Sequence, residues 1–334
     1  MTTIVYADDL YPDDSVERAA YGPDAKIIMA RVGAISELDD ATCAEADALL
    51  LMTLRATAAD FARMPKLRVV MRMGVGYDII DRVAAAKRGI MVCNVPDYGT
   101  TEVADHAMAL MLSLRRGIAL YFDTQRGEKP AVWGPITTPL IRRSNVQRFG
   151  VIGLGRIGTA VALRAKAFGF NVSFFDPYRS VGTELSFGFG RAKTLDALLE
   201  QSDVVSVHTP LTPETRGLLG LAQLRRLPAG AVLVNTARGP IVDWTALETV
   251  LREGHLAGAG IDVIPVEPPT EPIPELLRAY RAKEPWLLGR LVVTPHSAFH
   301  SPQAWDDIRT KSAETMAAAL FTDHPQNVVT PDMF

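Results

Sequence analysis

Residues 150–158 read GVIGLGRIG, and this stretch constrains the fold more than any other. Gly153, Gly155 and Gly158 fit the spacing G-x-G-x-x-G. The spacing alone is a weak signal. Here it follows the apolar run Phe149–Ile152 and opens the helical pattern RIGTAVALRAKAFG. A strand, a glycine turn and a helix in that order let a pyrophosphate approach the backbone and meet the free N–H groups of a helix start. The next apolar run ends at Asp176, 18 positions after Gly158. A carboxylate there can accept the ribose hydroxyls and repels a 2′-phosphate, so the expected cofactor is NAD. Arg179 bears on that preference, because a nearby arginine can tolerate a phosphate.

The rest of the chain repeats the alternation of short apolar runs and helical patterns. Ile4–Tyr6, Ala48–Met52, Val69–Arg72 and Met91–Asn94 read as strands in the first hundred residues. Phe149–Ile152, Val172–Phe175, Val204–His208, Ala231–Asn235, Gly258–Val263 and Leu291–Thr294 read as strands further on. Helical patterns between them, such as Asp81–Arg88, Arg156–Phe168 and Thr194–Gln201, are what parallel strands need as crossovers. The expected fold class is α/β, with two doubly wound parallel-sheet domains. One is discontinuous, residues 1–100 with 297–334. The other spans 101–296. A single long helix is expected over residues 100–123, and a last one over Pro302–Leu320, packing back on the first domain. Gly127–Pro139 and the proline-rich Pro265–Glu275 read as loops.

Composition narrows the function. The net charge is −3 and no basic run or stripe occurs, which argues against nucleic-acid or membrane-surface binding. No apolar run approaches the roughly 18 residues a transmembrane helix needs. The opening MTTIVYADDLYPDD has no basic n-region, so no signal peptide and a cytoplasmic location are expected. Cys43 and Cys93 alone form neither a disulfide framework nor a metal site.

Three stretches lie just past strand ends, where ligands bind in such sheets: NTARGPIVD, GIDVIPVEPP and VVTPHSAF. Each offers one strong group, namely Arg238, Glu267 and His296. Singly, each has an ordinary structural explanation. Together they suit a 2-oxo acid. A forked guanidinium holds a carboxylate and polarises a ketone. An imidazolium gives a proton to the alkoxide that hydride arrival leaves. A carboxylate on the far imidazole nitrogen fixes the tautomer and favours the cation. His208, at a strand end near the glycine turn, is a further candidate for cofactor contact.

The chain resembles the D-isomer-specific 2-hydroxyacid dehydrogenases over nearly its whole length. The motifs are MRMGVGYDIID, CNVPDYGTTEVADHA, VIGLGRIG, HTPLTPET, NTARGPIVD, GIDVIPVEP and TPHSAF, in the family's order. RAKAFGFNVSFFDPY and the Ser-Ala-Phe after the histidine are most similar to the C-terminal-binding-protein branch. The resemblance implies a flavodoxin-like substrate domain, a Rossmann NAD domain, and a homodimer formed through the long helix. It implies Arg238, Glu267 and His296 as the catalytic set. It further implies that Val75 and Gly76 offer backbone N–H groups to the substrate carboxylate and that Arg72 reaches substrate. On the cofactor side it implies Val103, Arg156, Ile157, Asp176, Thr209, Thr236, Ala237 and Asp262, with Arg238 and His296 lining the same pocket. Phe299 stands where the corepressor branch has tryptophan, so substrate size does not transfer. The segment between Glu267 and Thr294 is also longer than in common members.

Two functions fit this reading. One is NAD-dependent interconversion of a D-2-hydroxy acid and its 2-oxo acid. The other is an NADH-sensing scaffold with vestigial activity. The absence of a disordered tail or basic patch favours the enzyme.

Overall fold

A computed structural model describes residues 1–127 and 133–332. Residues 128–132, within the expected loop Gly127–Pro139, lie outside the described residues. The chain divides into two compact units: Met1–Gly99 with His300–Phe334, and Thr100–Phe299.

Among the described residues of the discontinuous unit, five strands form one parallel sheet. They are β1 (Thr2–Tyr6), β2 (Ala25–Met29), β3 (Ala48–Leu51), β4 (Val69–Arg72) and β5 (Met91–Asn94), in the order β2-β1-β3-β4-β5. That order is the flavodoxin-like one. Val5, Leu49, Leu51, Val70 and Val92 put one face of the sheet into a core with Phe61 and Met64. The C-terminal helix Pro302–Phe321 returns to this unit. Arg309 on it forks onto the fully buried Glu17 of helix Ser15–Tyr21, at 2.9 and 2.7 Å. Its guanidinium also lies 4.6 Å over the Tyr11 ring.

Among its described residues the continuous unit carries seven parallel strands: β6 (Arg148–Ile152), β7 (Asn171–Phe175), β8 (Gly190–Arg191), β9 (Val204–Val207), β10 (Ala231–Asn235), β11 (Leu256–Ile261) and β12 (Leu291–Val293). Their order is β12-β11-β10-β9-β6-β7-β8. The chain runs outward from β6 to β8 and then crosses back to β9 beside β6, which makes the β6/β9 boundary the switch point where ligands bind. Both faces are buried, as an all-parallel sheet requires. Val205, Val207, Leu233 and Ile261 pack on one side with Leu247 and Val250. Phe149, Val151, Val204 and Val234 pack on the other with Met108 and Met111.

Two local expectations need correction. The long helix is two, Thr100–Arg115 and Ile118–Gln125, because Gly117 adopts a left-handed φ of 66° between them. Two edge strands, β2 and β8, were not expected: the first is only partly buried and the second is two residues long. The longer segment after Glu267 folds into helix Glu275–Arg281, which contributes Leu276, Leu277 and Ala279 to the core. Arg252 of the neighbouring helix Trp244–Arg252 stacks 4.2 Å over Trp286.

Candidate active site

The site of the continuous unit follows from strand register. Phe175, Ile152, Val207, Asn235, Ile261 and Val293 pair across the sheet in one row. The residue after each is therefore delivered to one edge: Asp176, Gly153, His208, Thr236, Asp262 and Thr294. Backbone bonds carry the row one step further. Gly153 N–H donates to Phe175, His208 to Ile152, Asp262 to Asn235 and Thr294 to Ile261. Strands stand about 4.8 Å apart, so three loops from β10, β11 and β12 open within roughly 10 Å.

The glycine turn is tight. A Cβ on Gly158 would lie 2.0 Å from the Gly153 carbonyl oxygen, so the helix Arg156–Ala167 starts only where glycine stands. Arg156 is exposed and Ile157 half-buried at its first turn. Asp176 holds the turn from the side: Oδ2 accepts the Leu154 N–H at 2.8 Å, and Oδ1 accepts the Tyr178 N–H at 2.9 Å. Arg179 donates to the Leu154 carbonyl at 2.6 Å and lies 3.9 Å from Asp176. The Thr209 and Thr236 hydroxyls are buried past β9 and β10 with no partner among the described residues. Buried hydroxyls are ordinarily satisfied. Two such orphans beside a glycine turn fit a dinucleotide that would complete them. Val103 is buried in the first turn of helix Thr100–Arg115. His208 bonds Ser206 Oγ at 2.7 Å, and burial pushes its pKa down to about 3, so its ring is neutral near pH 7.

Beyond β10, Asn235 organises the next loop. Its Oδ1 accepts the Ala237 N–H and its Nδ2 donates to the Arg238 carbonyl, both at 3.0 Å. Arg238 donates to the Ala237 carbonyl at 2.7 Å. Gly239 then abuts the β11 loop: a Cβ there would lie 2.0 Å from the Ile264 carbonyl. The Arg238 loop thus rests on the loop that carries Glu267.

His296 and Glu267 are in direct contact, Nδ1 to Oε2 at 2.5 Å. The other Glu267 oxygen accepts the Ile264 N–H at 2.8 Å, which fixes the carboxylate. With Nδ1 engaged, Nε2 is the nitrogen left to serve a substrate oxygen. The ring is edge-on to Phe299 at 6.3 Å between centroids. His296 has a left-handed φ of 52°, a conformation that costs a non-glycine residue about 1–2 kcal/mol. Asp262 holds it there. Its carbonyl accepts the His296 N–H at 2.8 Å, and its buried carboxylate accepts Ser297 N–H at 2.9 Å and Ala298 N–H at 3.0 Å.

In the discontinuous unit, Arg72 ends β4 and its guanidinium donates to the Met73 carbonyl. It lies over Gly74, where a Cβ would fall 1.6 Å from Nη1. Val75 and Gly76 follow half-exposed, and the Val75 carbonyl accepts from Asn94 at 2.7 Å. Among the other histidines, His255 is half-buried and His324 is exposed. Sequence reasoning missed Thr294, whose signal was its place beside the histidine at a strand end. It also missed the bond from His106 to Thr294.

These features define a class: a doubly wound dinucleotide-dependent oxidoreductase with an Arg-Glu-His set at successive strand ends. The comparisons give the family. Residues 108–298 match the model of the D-isomer specific 2-hydroxyacid dehydrogenase NAD binding domain. A glyoxylate reductase of Korarchaeum cryptofilum is 36% identical over 97% of this chain and 90% of that protein. A D-3-phosphoglycerate dehydrogenase of Mycobacterium leprae is 36% identical over 96% of this chain, which spans 56% of that protein. A D-lactate dehydrogenase from Aquifex aeolicus, solved with NAD and lactic acid, is 27% identical at a TM-score of 0.78 over 95% of both chains. The chain belongs to the D-isomer-specific 2-hydroxyacid dehydrogenase family. It is an NAD-dependent oxidoreductase of D-2-hydroxy acids, and these relatives do not favour the scaffold alternative.

Proposed function

We propose that this chain reduces a 2-oxo acid to the D-2-hydroxy acid, and reverses the reaction, with His296 as acid and base. NAD, when bound, carries the hydride. The observation that carries the reading is the 2.5 Å contact between His296 and Glu267, which leaves Nε2 available to a carbonyl oxygen. In the reductive direction His296 gives its proton to the oxygen as negative charge develops there, and in the oxidative direction it takes the hydroxyl proton. Glu267 orients the ring and stabilises the imidazolium. Arg238 pairs with the substrate carboxylate and polarises the carbonyl through its planar fork. In the discontinuous unit the resemblance offers Val75 and Gly76 N–H groups for a substrate carboxylate and Arg72 for a substrate contact, and in the continuous unit it offers Phe299 for the side-chain pocket.

On the cofactor side, Gly153, Gly155, Gly158, Arg156 and Ile157 form the pyrophosphate turn, and Asp176 takes the ribose. Val103, His208, Thr209, Thr236, Ala237 and Asp262 line the rest of that pocket. The continuous unit is then the NAD domain and the discontinuous one the substrate domain. A homodimer and a cytoplasmic location belong to the same reading. Ile118, Phe122 and Trp133 are exposed in the helix Ile118–Gln125 and just past it, which supports the dimer. Cys43 and Cys93 are buried free thiols, as in a reducing compartment. Among the described residues, no helix is long and apolar enough to cross a membrane.

The test is NADH consumption, followed by absorbance, against glyoxylate, pyruvate, hydroxypyruvate and branched, aromatic and dicarboxylic 2-oxo acids, with NADPH in parallel. Turnover with one class supports the proposal and names the substrate. Tight NADH binding without turnover on any of them would contradict it.

A further inference from the structure

The helix Thr100–Arg115 carries one polar ring toward the His296 loop. His106 Nε2 lies 2.9 Å from Thr294 Oγ1, across 188 residues of sequence. Thr294 Oγ1 donates to Asp262 Oδ1 at 2.6 Å, the same oxygen that receives the Ser297 N–H. A hydroxyl has one hydrogen. Because that hydrogen is committed to Asp262, His106 is the donor in the first bond and must carry its proton on Nε2. A chain of donors therefore runs one way: His106 to Thr294 to Asp262. Its last member also accepts from Ser297 and Ala298 and so clamps the turn that follows His296.

We propose that His106 is a positioning residue for the reaction, orienting the Thr294 hydroxyl and, through it, the Asp262 carboxylate that holds the His296 turn. His106 does not touch the substrate in this role. Nor does it share the ion pair of Glu267, whose carboxylate is held separately by Ile264. The Asp262 oxygen lies 3.8 Å from His106, too far for a direct bond, so Thr294 is the necessary link. A His296 displaced by about 1 Å loses roughly a hundredfold in rate. The inference rests on His296 being the acid.

The experiment compares Thr294→Val, Thr294→Ser, His106→Leu, His106→Gln and the Thr294→Val/His106→Leu double variant with the whole protein. Far-UV circular dichroism and a thermal melt check that each variant folds. Thr294→Val and His106→Leu are expected to lower kcat by about 10- to 100-fold, with substrate KM within about threefold of the parent. Thr294→Ser keeps the hydroxyl and His106→Gln keeps a donor, so both should recover most of kcat. The double variant should be no worse than Thr294→Val, because both changes break one chain. An unchanged kcat in Thr294→Val, no recovery in Thr294→Ser, or penalties that multiply would each overturn the proposal. His296→Asn runs alongside. If it retains turnover, the acid assignment itself fails. If it is inactive while the Thr294 and His106 variants match the parent, only the present inference fails.

Discussion

Glu267 accepts at both ends of its carboxylate: Oε2 meets His296 Nδ1 at 2.5 Å and Oε1 meets the Ile264 N–H at 2.8 Å. The backbone bond fixes the carboxylate, and the carboxylate fixes the ring. Glu267→Gln keeps the size and an acceptor but removes the charge. A charge-assisted hydrogen bond is worth about 1.5–3 kcal/mol. We expect kcat to fall about 10- to 100-fold in steady-state assays, with a smaller change in substrate KM. An unchanged kcat would remove Glu267 from the mechanism.

Asp176 accepts the Leu154 and Tyr178 N–H groups, and on the proposed reading the same carboxylate also takes the ribose and repels a 2′-phosphate. Replacing it with serine removes the charge that repels a 2′-phosphate, while Arg179 remains beside the site. Asp176→Ser should raise the KM for NADH about tenfold and narrow the preference for NADH over NADPH. Comparing kcat/KM for the two cofactors checks this. A preserved ratio would mean that other groups select the cofactor.

His208 couples the fold to pH. Burial lowers its pKa from 6.5 to about 3, so the folded protein keeps the ring neutral where the unfolded chain would protonate it. Stability from this group is fully present above pH 6.5 and is lost as pH falls toward 3, by at most about 1.4 kcal/mol per pH unit. His208 is not wholly screened from solvent, so the observed slope should be shallower. Denaturant unfolding between pH 7 and 4 should show a smaller loss in His208→Asn than in the parent. Equal losses would assign the acid sensitivity to other groups.

Arg309 and Glu17 form a forked pair in which Glu17 is fully buried. Removing one partner strands a buried charge, which costs about 3–5 kcal/mol. Arg309→Met should therefore lower Tm by several degrees, and adding Glu17→Leu should recover much of the loss. If Glu17→Leu worsened it, packing of Arg309 on Tyr11 would be the larger contribution.

Much of this was legible in the sequence for a physical reason. Buried parallel strands are apolar throughout, so their ends stand out, and ligands bind past those ends. Gly153, Asp176, Arg238, Glu267 and His296 could all be picked out that way. The unread parts lack such a signal. β2 is half-exposed, and β8 is two residues long. Gly117 falls inside the apolar pattern that reads as one helix over residues 100–123, and its left-handed φ is what splits that helix. The hydroxyls of Thr209 and Thr236 are distinctive only because they are buried without partners. His106 and Thr294 meet only after folding, across 188 residues.

The central claim is that His296 moves the proton. The direct test is His296→Asn, assayed for turnover of the best 2-oxo acid and, separately, for NADH binding by fluorescence. Asparagine preserves the size and a hydrogen bond but cannot exchange a proton near neutral pH. The account predicts a loss in kcat of about 10²- to 10⁴-fold with NADH affinity retained. Turnover within a few-fold of the parent would contradict it.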